Sequence, residues 1–218
     1  MSSRTERKGI VFVLSAPSGT GKTTLAEELL ERVPSLTRTI SCTTRSPRQG
    51  ERDGVDYTFV GVDRFQELRD EGEFLEWANV HDSLYGTPRS EIERIRAAGA
   101  DALMVIDVQG GDQVRNRLDD AVMIFVLPPS PESLRRRLEG RDGSSPEAQS
   151  SIDLRLCNAT EEISRFVGYD YLVINDRLAE AVEELQAIVL AERCRRSCRQ
   201  EAGQQILDSF RASQRDSA

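Results

Sequence analysis

The chain has 218 residues, of which 38% are hydrophobic and 30% are charged, and its formal net charge is −8. This length suits one sizeable α/β domain with small inserted lobes. A general nucleic-acid binder usually carries a basic surface, so the acidic balance argues against one, although a local basic pocket remains compatible with it. No apolar run approaches the ~18 residues of a membrane-spanning helix, and residues 1–8 lack a signal peptide's apolar stretch. We therefore expect a cytoplasmic protein without a nucleic-acid or membrane partner.

The four cysteines are spread along the chain without C-x-x-C spacing. Free thiols in a reducing compartment are the expected state. Cys194 and Cys198 are four residues apart and could share a helix face, which leaves a metal or redox pair as the alternative. No histidine lies near them and zinc usually takes four ligands, so the sequence favours free thiols.

Four short apolar runs, at 10–15, 102–108, 122–127 and 171–174, are each followed by a helical pattern. Short strands separated by helices predict crossover connections, and hence a parallel sheet covered by helices on both faces. Ligands in such α/β folds bind beyond the carboxyl ends of the strands.

The segment 16–23, Ala-Pro-Ser-Gly-Thr-Gly-Lys-Thr, follows the first predicted strand and opens a helix, as a P-loop does. Gly19 and Gly21 let several backbone N–H groups point into one concavity, and the helix N-terminus favours an anion there. Lys22 is expected to reach the β- and γ-phosphates of a nucleoside triphosphate, and the Thr23 hydroxyl to ligate Mg²⁺. The predicted ATP-binding residues are Ala16, Pro17, Ser18, Gly19, Thr20, Gly21, Lys22, Thr23 and Thr24.

Ala16 stands where the pattern G-x-x-x-x-G-K-[ST] begins with glycine. Alanine is tolerated at this position if its φ is negative. The alternative, a chance glycine-rich turn, is disfavoured by the strand before the segment and the helix after it. The motif predicts a P-loop NTPase-type core but does not name the group that accepts the phosphoryl.

The region 38–90 has a different pattern, with short half-polar strands at 39–62 and 74–80 and turns at 49–50 and 53–54. It predicts a small mixed α/β insertion on the core. Arg45 and Arg48 flank Pro47 and are spaced to reach one anion, and Tyr57 can add a neutral donor. On residue chemistry alone, a phosphate site and a solvated basic turn are about equally plausible.

Six motifs in this order resemble those of guanylate kinases. The first, S-C-T-T-R-S-P-R-Q-G-E-R-D-G-V-D-Y-T-F at 41–59, matches every fixed position of the family pattern S-x-T-T-R-x-P-R-x-G-E-x-x-G-x-D-Y-x-F. The others are F-L-E-W-A at 74–78, Y-G-T at 85–87, I-D-V-Q-G at 106–110, R-L-E-G-R at 137–141 and Y-D-Y-L-V-I-N-D at 169–176. The resemblance covers roughly residues 8 to 200. It implies ATP-dependent phosphorylation of GMP, and by extension dGMP, to GDP, a reaction of purine nucleotide metabolism.

The resemblance also implies an acceptor site. In the family, arginines, tyrosines and a serine hold the GMP phosphate, while a carboxylate and a hydroxyl recognise guanine, which points here to Glu76 and Thr87. A carboxylate accepts from guanine N1–H and N2–H₂, and a hydroxyl donates to O6; adenine lacks this set of groups. Without the family, Glu76 would be read as a solvated strand carboxylate. The implied GMP-binding residues are Ser41, Arg45, Arg48, Tyr57, Glu76, Tyr85, Gly86, Thr87 and Asp107.

Phosphoryl transfer requires alignment and neutralisation of charge, so the implied catalytic residues are cations. For the metal, the expectation is Mg²⁺ bound with ATP, ligated by Thr23 and reached through water by Asp107. The implied catalytic residues are Lys22, Arg45, Arg137, Arg141 and Arg155.

Two departures from the family pattern accompany these matches. Val105 stands where the family usually has a second acidic residue, two positions before Asp107. The lid between Arg141 and Arg155 is longer than usual, from which we expect retained turnover with altered ATP affinity. Closure of the lid and the insertion should exclude water from the site.

The predicted organisation is a guanylate kinase-like domain at 8–200 with a polar tail at 201–218. Its core comprises 8–37 and 98–200, with a lid at about 138–156 and a GMP-binding insertion at about 38–90. Two other functions remain: a phosphopeptide-binding module that has lost catalysis, and a P-loop kinase for another phosphorylated small molecule such as a ribose bisphosphate. The intact cradle and lid arginines disfavour the first, and Glu76 with Thr87 disfavours the second. A monomer and a homodimer are both compatible with the sequence.

Overall fold

The computed structural model describes residues 8–80, 82–142 and 146–215, and the side chains within these ranges except those of 141, 142, 146–148 and 215. The strands are β1 Val11–Ser15, β2 Leu36–Arg38, β3 Cys42–Thr43, β4 Thr58–Phe59, β5 Phe74–Val80, β6 Ser83–Pro88, β7 Asp101–Val105, β8 Ala121–Leu127 and β9 Tyr171–Ile174. The helices are α1 Lys22–Arg32, α2 Val62–Asp70, α3 Arg89–Ala97, α4 Val108–Arg117, α5 Pro131–Asp142, α6 Pro146–Ser164, α7 Leu178–Arg193 and α8 Arg196–Arg215, with a 3₁₀ turn at Arg165–Gly168.

The core is a five-stranded parallel sheet in the order β2-β7-β1-β8-β9. Strand β1 is buried along its whole length, as the continuous apolar run predicted. Phe12 and Leu14 pack on one face with the apolar sides of α1 and α7. Val11 and Val13 pack on the other face with residues of α3 and α4. The predicted parallel sheet with helices on both faces is confirmed.

Each of the four apolar runs forms a strand of this sheet, with small shifts at the ends. The run at 102–108 was predicted two to three residues too long, because Asp107 caps the N-terminus of α4 through its side chain. The edge strand β2 was not recognised, since only three residues pair and two of them are half-buried. Its last residue, Arg38, nevertheless lies at the carboxyl end of the sheet, where ligands bind.

The insertion forms a separate four-stranded sheet in the order β4-β3-β6-β5. Helix α2 packs on it, with Phe65 and Phe74 stacked at a ring-centroid distance of 4.6 Å. The strands expected throughout 39–62 are present only as β3 and β4, two residues each. Between them the chain turns at Gly50 and Gly54, both with positive φ, so this stretch is a loop around the arginines and not a continuous ladder.

Helices α5 and α6 form the predicted lid region and pack through their own small apolar cluster, in which Leu138 and Ile152 are fully buried. Residues 143–145 and the side chain of Arg141 lie outside the described residues, so the expected consequence of a longer lid stays a prediction. The predicted polar tail is largely helical, because α8 continues to Arg215. Among the residues that the structure describes, no helix is both long and apolar enough to cross a bilayer.

Candidate active site

The cradle predicted between β1 and α1 has the geometry of an anion site. Gly19 and Gly21 have φ values of 86° and 94°, a left-handed conformation that side chains other than glycine rarely adopt. Gly21 caps α1 without any side-chain hydrogen bond, so the first N–H groups of the helix are not capped by a side chain. Such a terminus favours phosphate. Thr23 and Thr24 lie exposed in its first turn.

Ala16 meets the requirement that alanine at this position of the P-loop should not have a positive φ. Outside glycine, the residues with positive φ in the described ranges are Ser35 and Asp82, so Ala16 needs no left-handed conformation. It is buried against the same apolar cluster as Phe12 and Leu14. The methyl group therefore contributes packing at no conformational cost.

Lys22, at the start of α1, has its ammonium group held at the carboxyl edge of the sheet. Its Nζ donates to the carbonyl oxygen of Ile106 at 2.5 Å. Burial lowers the pKa of Lys22 to about 8, against the opposing effect of the negative charges of Asp107 and Glu162. A desolvated ammonium with few protein partners is a strong ligand for phosphate oxygens.

Arg137 of α5 and Asn175, which follows β9, hold the cradle through hydrogen bonds to its backbone. The Arg137 guanidinium donates to the carbonyl oxygens of Thr20, at 3.0 Å, and Asn175, at 2.6 Å. The Asn175 amide donates to the same Thr20 carbonyl at 2.8 Å. In this structure Arg137 thus connects the lid helix, the cradle and the end of β9. The other predicted lid cation within the described side chains, Arg155, lies half-buried on α6.

A carboxylate of α6 also approaches the cradle. Oε2 of Glu162 accepts from the backbone N–H of Ser18 at 3.4 Å. Burial raises the pKa of Glu162, and Asp107 acts in the same direction. A partly buried carboxyl group therefore lies beside a backbone amide of the cradle.

The predicted guanine-recognition residues lie together in the insertion. Thr87 donates its hydroxyl proton to Glu76 Oε1 at 2.5 Å, and the Ser41 and Thr87 hydroxyl oxygens are 2.9 Å apart. Glu76 and Thr87 are directly opposite each other on β5 and β6. Both side chains are buried, with 3% and 0% exposed. The structure therefore rules out the solvated strand carboxylate as a description of Glu76.

Glu76 is an acid in a desolvated site. Burial raises its pKa to about 7, although the hydrogen bond from Thr87 opposes the shift. Its second oxygen faces α4: a Cβ on Gly110 would lie 2.5 Å from Glu76 Oε2. Gly110 thus makes room for the carboxylate, and its N–H donates to Asp107 Oδ1 at 2.9 Å.

The two predicted phosphate arginines of the insertion are organised by Glu51. Arg45 makes a bidentate ion pair with Glu51, both contacts at 2.9 Å, and donates through Nε to the Tyr85 hydroxyl at 3.1 Å. The Arg48 backbone N–H donates to the same carboxylate at 2.7 Å, while its side chain is exposed. The guanidinium of Arg45 also lies 5.5 Å from the centre of the Tyr57 ring. Glu51 therefore holds the basic turn in shape in the absence of an anion.

Seven of the predicted site residues, from both the cradle and the acceptor side, face one cavity of about 210 Å³ between the core and the insertion. Cradle residues and acceptor residues line it together, which is what transfer between two bound nucleotides requires. Four of the predicted acceptor residues, Arg45, Arg48, Gly86 and Thr87, are not among its lining residues. Gly86 lies within β6, where a Cβ would approach Phe65 and Phe74. The lining residues are Lys22, Thr23, Arg38, Ser41, Tyr57, Glu76, Ala78, Val80, Tyr85, Val105, Ile106 and Asp107.

The residues predicted to hold the metal are Thr23 and Asp107, which both line this cavity. Asp107 is engaged as the N-cap of α4 and also accepts from the Gln109 amide at 3.2 Å. The described residues contain no cluster of three or more metal-binding side chains. One hydroxyl and one carboxylate nevertheless fit Mg²⁺, which keeps several waters and takes most of its remaining ligands from phosphate.

Sequence reasoning missed four residues of the site: Arg38, Glu51, Gly110 and Glu162. Glu51 had a recognisable signal, a carboxylate three and six positions after two arginines in one turn. Gly110 ends the I-D-V-Q-G motif at 106–110, although no role was predicted for it. Arg38 and Glu162 had no signal, because their roles depend on elements distant in the chain. No disulfide joins the cysteines, as expected.

Comparison with known proteins gives one consistent result. The family described as guanylate kinase matches residues 8–192. The guanylate kinase of Myxococcus xanthus is 50% identical over 189 residues, covering 86% of this chain and 89% of that protein. The guanylate kinase of Syntrophotalea carbinolica is 48% identical, covering 91% and 93%. The crystal structure of guanylate kinase from Anaplasma phagocytophilum superposes with a TM-score of 0.72 at 34% identity, covering 88% and 90%.

Proposed function

Because the chain belongs to the guanylate kinase family and catalyses ATP-dependent phosphorylation of GMP to GDP, we propose that the cavity between core and insertion is where this transfer takes place. The observation that carries the proposal is that the buried Glu76, which accepts a hydrogen bond from Thr87, lines the same cavity as Lys22. One end of the cavity suits guanine and the other suits a transferring phosphoryl group.

Glu76 and Thr87 select the acceptor base. The ionised carboxylate accepts from guanine N1–H and N2–H₂, while Thr87 and Ser41 supply hydroxyl groups for O6. AMP would leave the buried carboxylate without donors, and such a mismatch costs several orders of magnitude in selectivity. We extend the proposal to dGMP, because the base and phosphate contacts named here involve groups that GMP and dGMP share.

Arg45, Arg48, Tyr57 and Tyr85 bind the phosphate of GMP. The basic turn is already shaped by Glu51, which supports this role because little ordering is left to occur on binding. Lys22 and the N-terminal amides of α1 hold the β- and γ-phosphates of ATP. With both nucleotides bound, a phosphate oxygen of GMP attacks the γ-phosphorus in line, and the charge spread over the equatorial oxygens is neutralised by Lys22, Arg45 and the lid arginines Arg137, Arg141 and Arg155.

Mg²⁺ is the divalent cation of this proposal. It would be held by ATP phosphate oxygens and Thr23, with Asp107 orienting its waters, and would neutralise charge on the transferring group. Thr23→Val should raise the Mg²⁺ concentration needed for half-maximal turnover. Thr23→Ser keeps the hydroxyl and should leave that concentration close to its value in the unchanged protein.

Three further properties stay predictions. Cytoplasmic location agrees with four free cysteines. Monomer and homodimer both remain compatible with the structure, in which α8 exposes Ile206, Leu207 and Phe210. The division into core, insertion and lid agrees with the two separate sheets and the α5–α6 cluster.

The decisive experiment measures ADP release with ATP–Mg²⁺ and, in parallel, GMP, AMP, UMP and CMP. We expect turnover with GMP at least about a hundredfold above the other acceptors. Glu76→Gln should abolish this preference, because the glutamine amide would place its own N–H groups against those of guanine. The matched control is Glu73→Gln, at an exposed position on the approach to β5. Unchanged selectivity in Glu76→Gln would refute the assignment of the guanine site.

A further inference from the structure

Arg38, the last residue of β2, faces the cavity from the core side. It lies at the carboxyl end of the sheet, three residues before Ser41, and lines the cavity together with Lys22, Tyr57 and Tyr85. The side chain is half-buried. Tyr85, whose hydroxyl accepts from Arg45 Nε at 3.1 Å, lines the same cavity, so Arg38 and the hydrogen-bond partner of Arg45 border one space.

Strand register explains why Arg38 points there. Arg38 pairs with Leu103 of β7 in the parallel sheet, and the Thr39 N–H donates to the Leu103 carbonyl at 3.0 Å. Partners in a parallel ladder present their side chains on the same face, and Val105 follows Leu103 on that face. Val105 is the position where an acidic residue was expected. Valine has no charge, so Val105 cannot form an ion pair with the Arg38 guanidinium. The neighbouring strand therefore does not neutralise the positive charge of Arg38 at this position.

The contacts of Arg38 differ from those of Arg45. The two terminal guanidinium nitrogens of Arg45 donate to the carboxylate of Glu51. Among the described residues, Arg38 has no hydrogen bond or ion pair, and its positive charge lowers the pKa of Lys22. The acids of the cavity are otherwise engaged, Glu76 with Thr87 and Asp107 with the N-terminus of α4. A half-buried guanidinium without a carboxylate is costly unless a ligand supplies the negative charge.

We propose that Arg38 is a further phosphate-binding residue of the acceptor site, which contacts the GMP phosphate from the core side of the cavity. The proposal rests on the acceptor assignment above and adds a residue to it. Arg38 belongs to the strand that leads directly into the insertion, so an acceptor phosphate held by Arg38 and Arg45 bridges the two sheets. The guanidinium fork suits two phosphate oxygens at once.

The test compares the binding of GMP with that of guanosine, which lacks the phosphate, by calorimetry without ATP. Arg38→Gln should weaken GMP binding roughly tenfold to hundredfold and leave guanosine binding unchanged. Arg38→Lys should recover part of the loss, because it keeps the charge without the fork. Arg32→Gln, on the exposed end of α1, removes the same unit charge and should change neither affinity.

Other results overturn the proposal. Equal weakening of GMP and guanosine would mean that Arg38 only supports the cavity's shape. Unchanged GMP affinity, together with weaker ATP binding in a separate titration of Arg38→Gln, would assign Arg38 to the donor phosphates instead. Glu76→Gln, measured alongside, separates the two hypotheses: it should weaken both GMP and guanosine. If Glu76→Gln weakens neither, the acceptor assignment itself fails; if it weakens both while Arg38→Gln alters nothing, only the role of Arg38 fails.

Discussion

At Glu76, burial and hydrogen bonding act on the pKa in opposite directions, and burial is the larger effect. For the proposed contact with guanine N1–H and N2–H₂, the carboxylate must be ionised. Thr87 donates to it, and the charges that reach it are Asp107, which favours the neutral acid, and Lys22, which favours the ionised form. A pKa of about 7 leaves the group balanced between the two states near neutral pH.

We therefore predict that kcat/KM for GMP falls about tenfold per pH unit below pH 7, since kcat/KM reports ionisations of the free enzyme. The folded-state pKa is raised, so the ligand-free folded protein binds the proton more tightly than the unfolded chain. The contribution of Glu76 to the free energy of unfolding accordingly decreases as pH rises from 4.5 to about 7. Profiles of kcat/KM for GMP from pH 5.5 to 8.5 test this prediction. The control Glu73→Gln should keep the fall below pH 7. If Glu76→Gln also keeps that fall, the ionisation does not belong to Glu76.

Gly110 matters for the space that it leaves open. A methyl group there would lie 2.5 Å from Glu76 Oε2 and 3.3 Å from Asp107 Oδ1. We predict that Gly110→Ala displaces the Glu76 carboxylate and raises KM for GMP by at least about tenfold, while KM for ATP changes little. Steady-state kinetics with each nucleotide varied in turn measures both constants.

The matched control is Gly203→Ala on α8. A Cβ at Gly203 meets nothing within 4 Å, and alanine favours a helix, so activity should be unchanged and the helix slightly stabilised. A Gly110→Ala variant with normal KM for GMP would show that the carboxylate has another position from which to bind guanine.

At the scale of elements, α5 supports the phosphate cradle by packing and by hydrogen bonds. Leu138 is fully buried between the cradle and α6, and a Cβ on Gly19 would come within 2.6 Å of its Cδ2. Arg137, the preceding residue, holds the Thr20 carbonyl. The sequence predicted Arg137 as a catalytic cation, and the ligand-free structure adds a positioning contact that such a role does not exclude.

Leu138→Ala should open a cavity beside the cradle and lower the free energy of unfolding by about 2–5 kcal/mol. Because the loss falls on the α5–α6 side, KM for ATP should rise while GMP binding in the absence of ATP stays normal. Urea denaturation and calorimetry provide the two measurements. Leu154→Ala, at a position 63% exposed on α6, is the control and should be nearly neutral; an equal loss of GMP binding in Leu138→Ala would contradict this division.

At the scale of the whole molecule, a buried ion pair fastens the amino end of the sheet, away from the cavity. Asp101 is fully buried; its Oδ1 accepts from the Ile10 N–H at 2.8 Å and its Oδ2 from Arg193 Nε at 2.8 Å. Arg193 also donates to the carbonyl of Pro34 at 2.9 Å. These contacts tie β1, β7, α7 and the turn before β2 together.

We predict that Arg193→Ala lowers the free energy of unfolding by about 3–5 kcal/mol, because it removes a cation that is hydrogen-bonded to a fully buried carboxylate. Both KM values and kcat should be retained at temperatures where the variant is folded. Thermal unfolding and kinetics test this, with Arg211→Ala on exposed α8 as the control. A kinetic defect without a loss of stability would mean that this end of the sheet is coupled to the cavity.

The sequence by itself determined the phosphate cradle and the core strands, because both depend on local order along the chain. A glycine-rich turn between an apolar strand and a helix specifies its own geometry, and apolar runs specify burial. The motif at 41–59 and the residues Glu76 and Thr87 were also found in the sequence. Their roles in binding GMP were predicted from the resemblance to guanylate kinases and not from the residues alone. The length of the strands in the insertion was overestimated, since turns at Gly50 and Gly54 interrupt the pairing.

Only the tertiary structure decided what depends on contacts between distant segments. The raised pKa of Glu76 needs the burial that β6 and α4 provide, and Gly110 has a role only because that carboxylate lies against it. The sequence gives no sign that Arg38 belongs to the site. Its pairing with Leu103 of β7 places it beside Val105 in the lining of the cavity. Desolvation and unpaired charge are properties of a residue's three-dimensional surroundings, and the order of residues in the chain does not contain them locally.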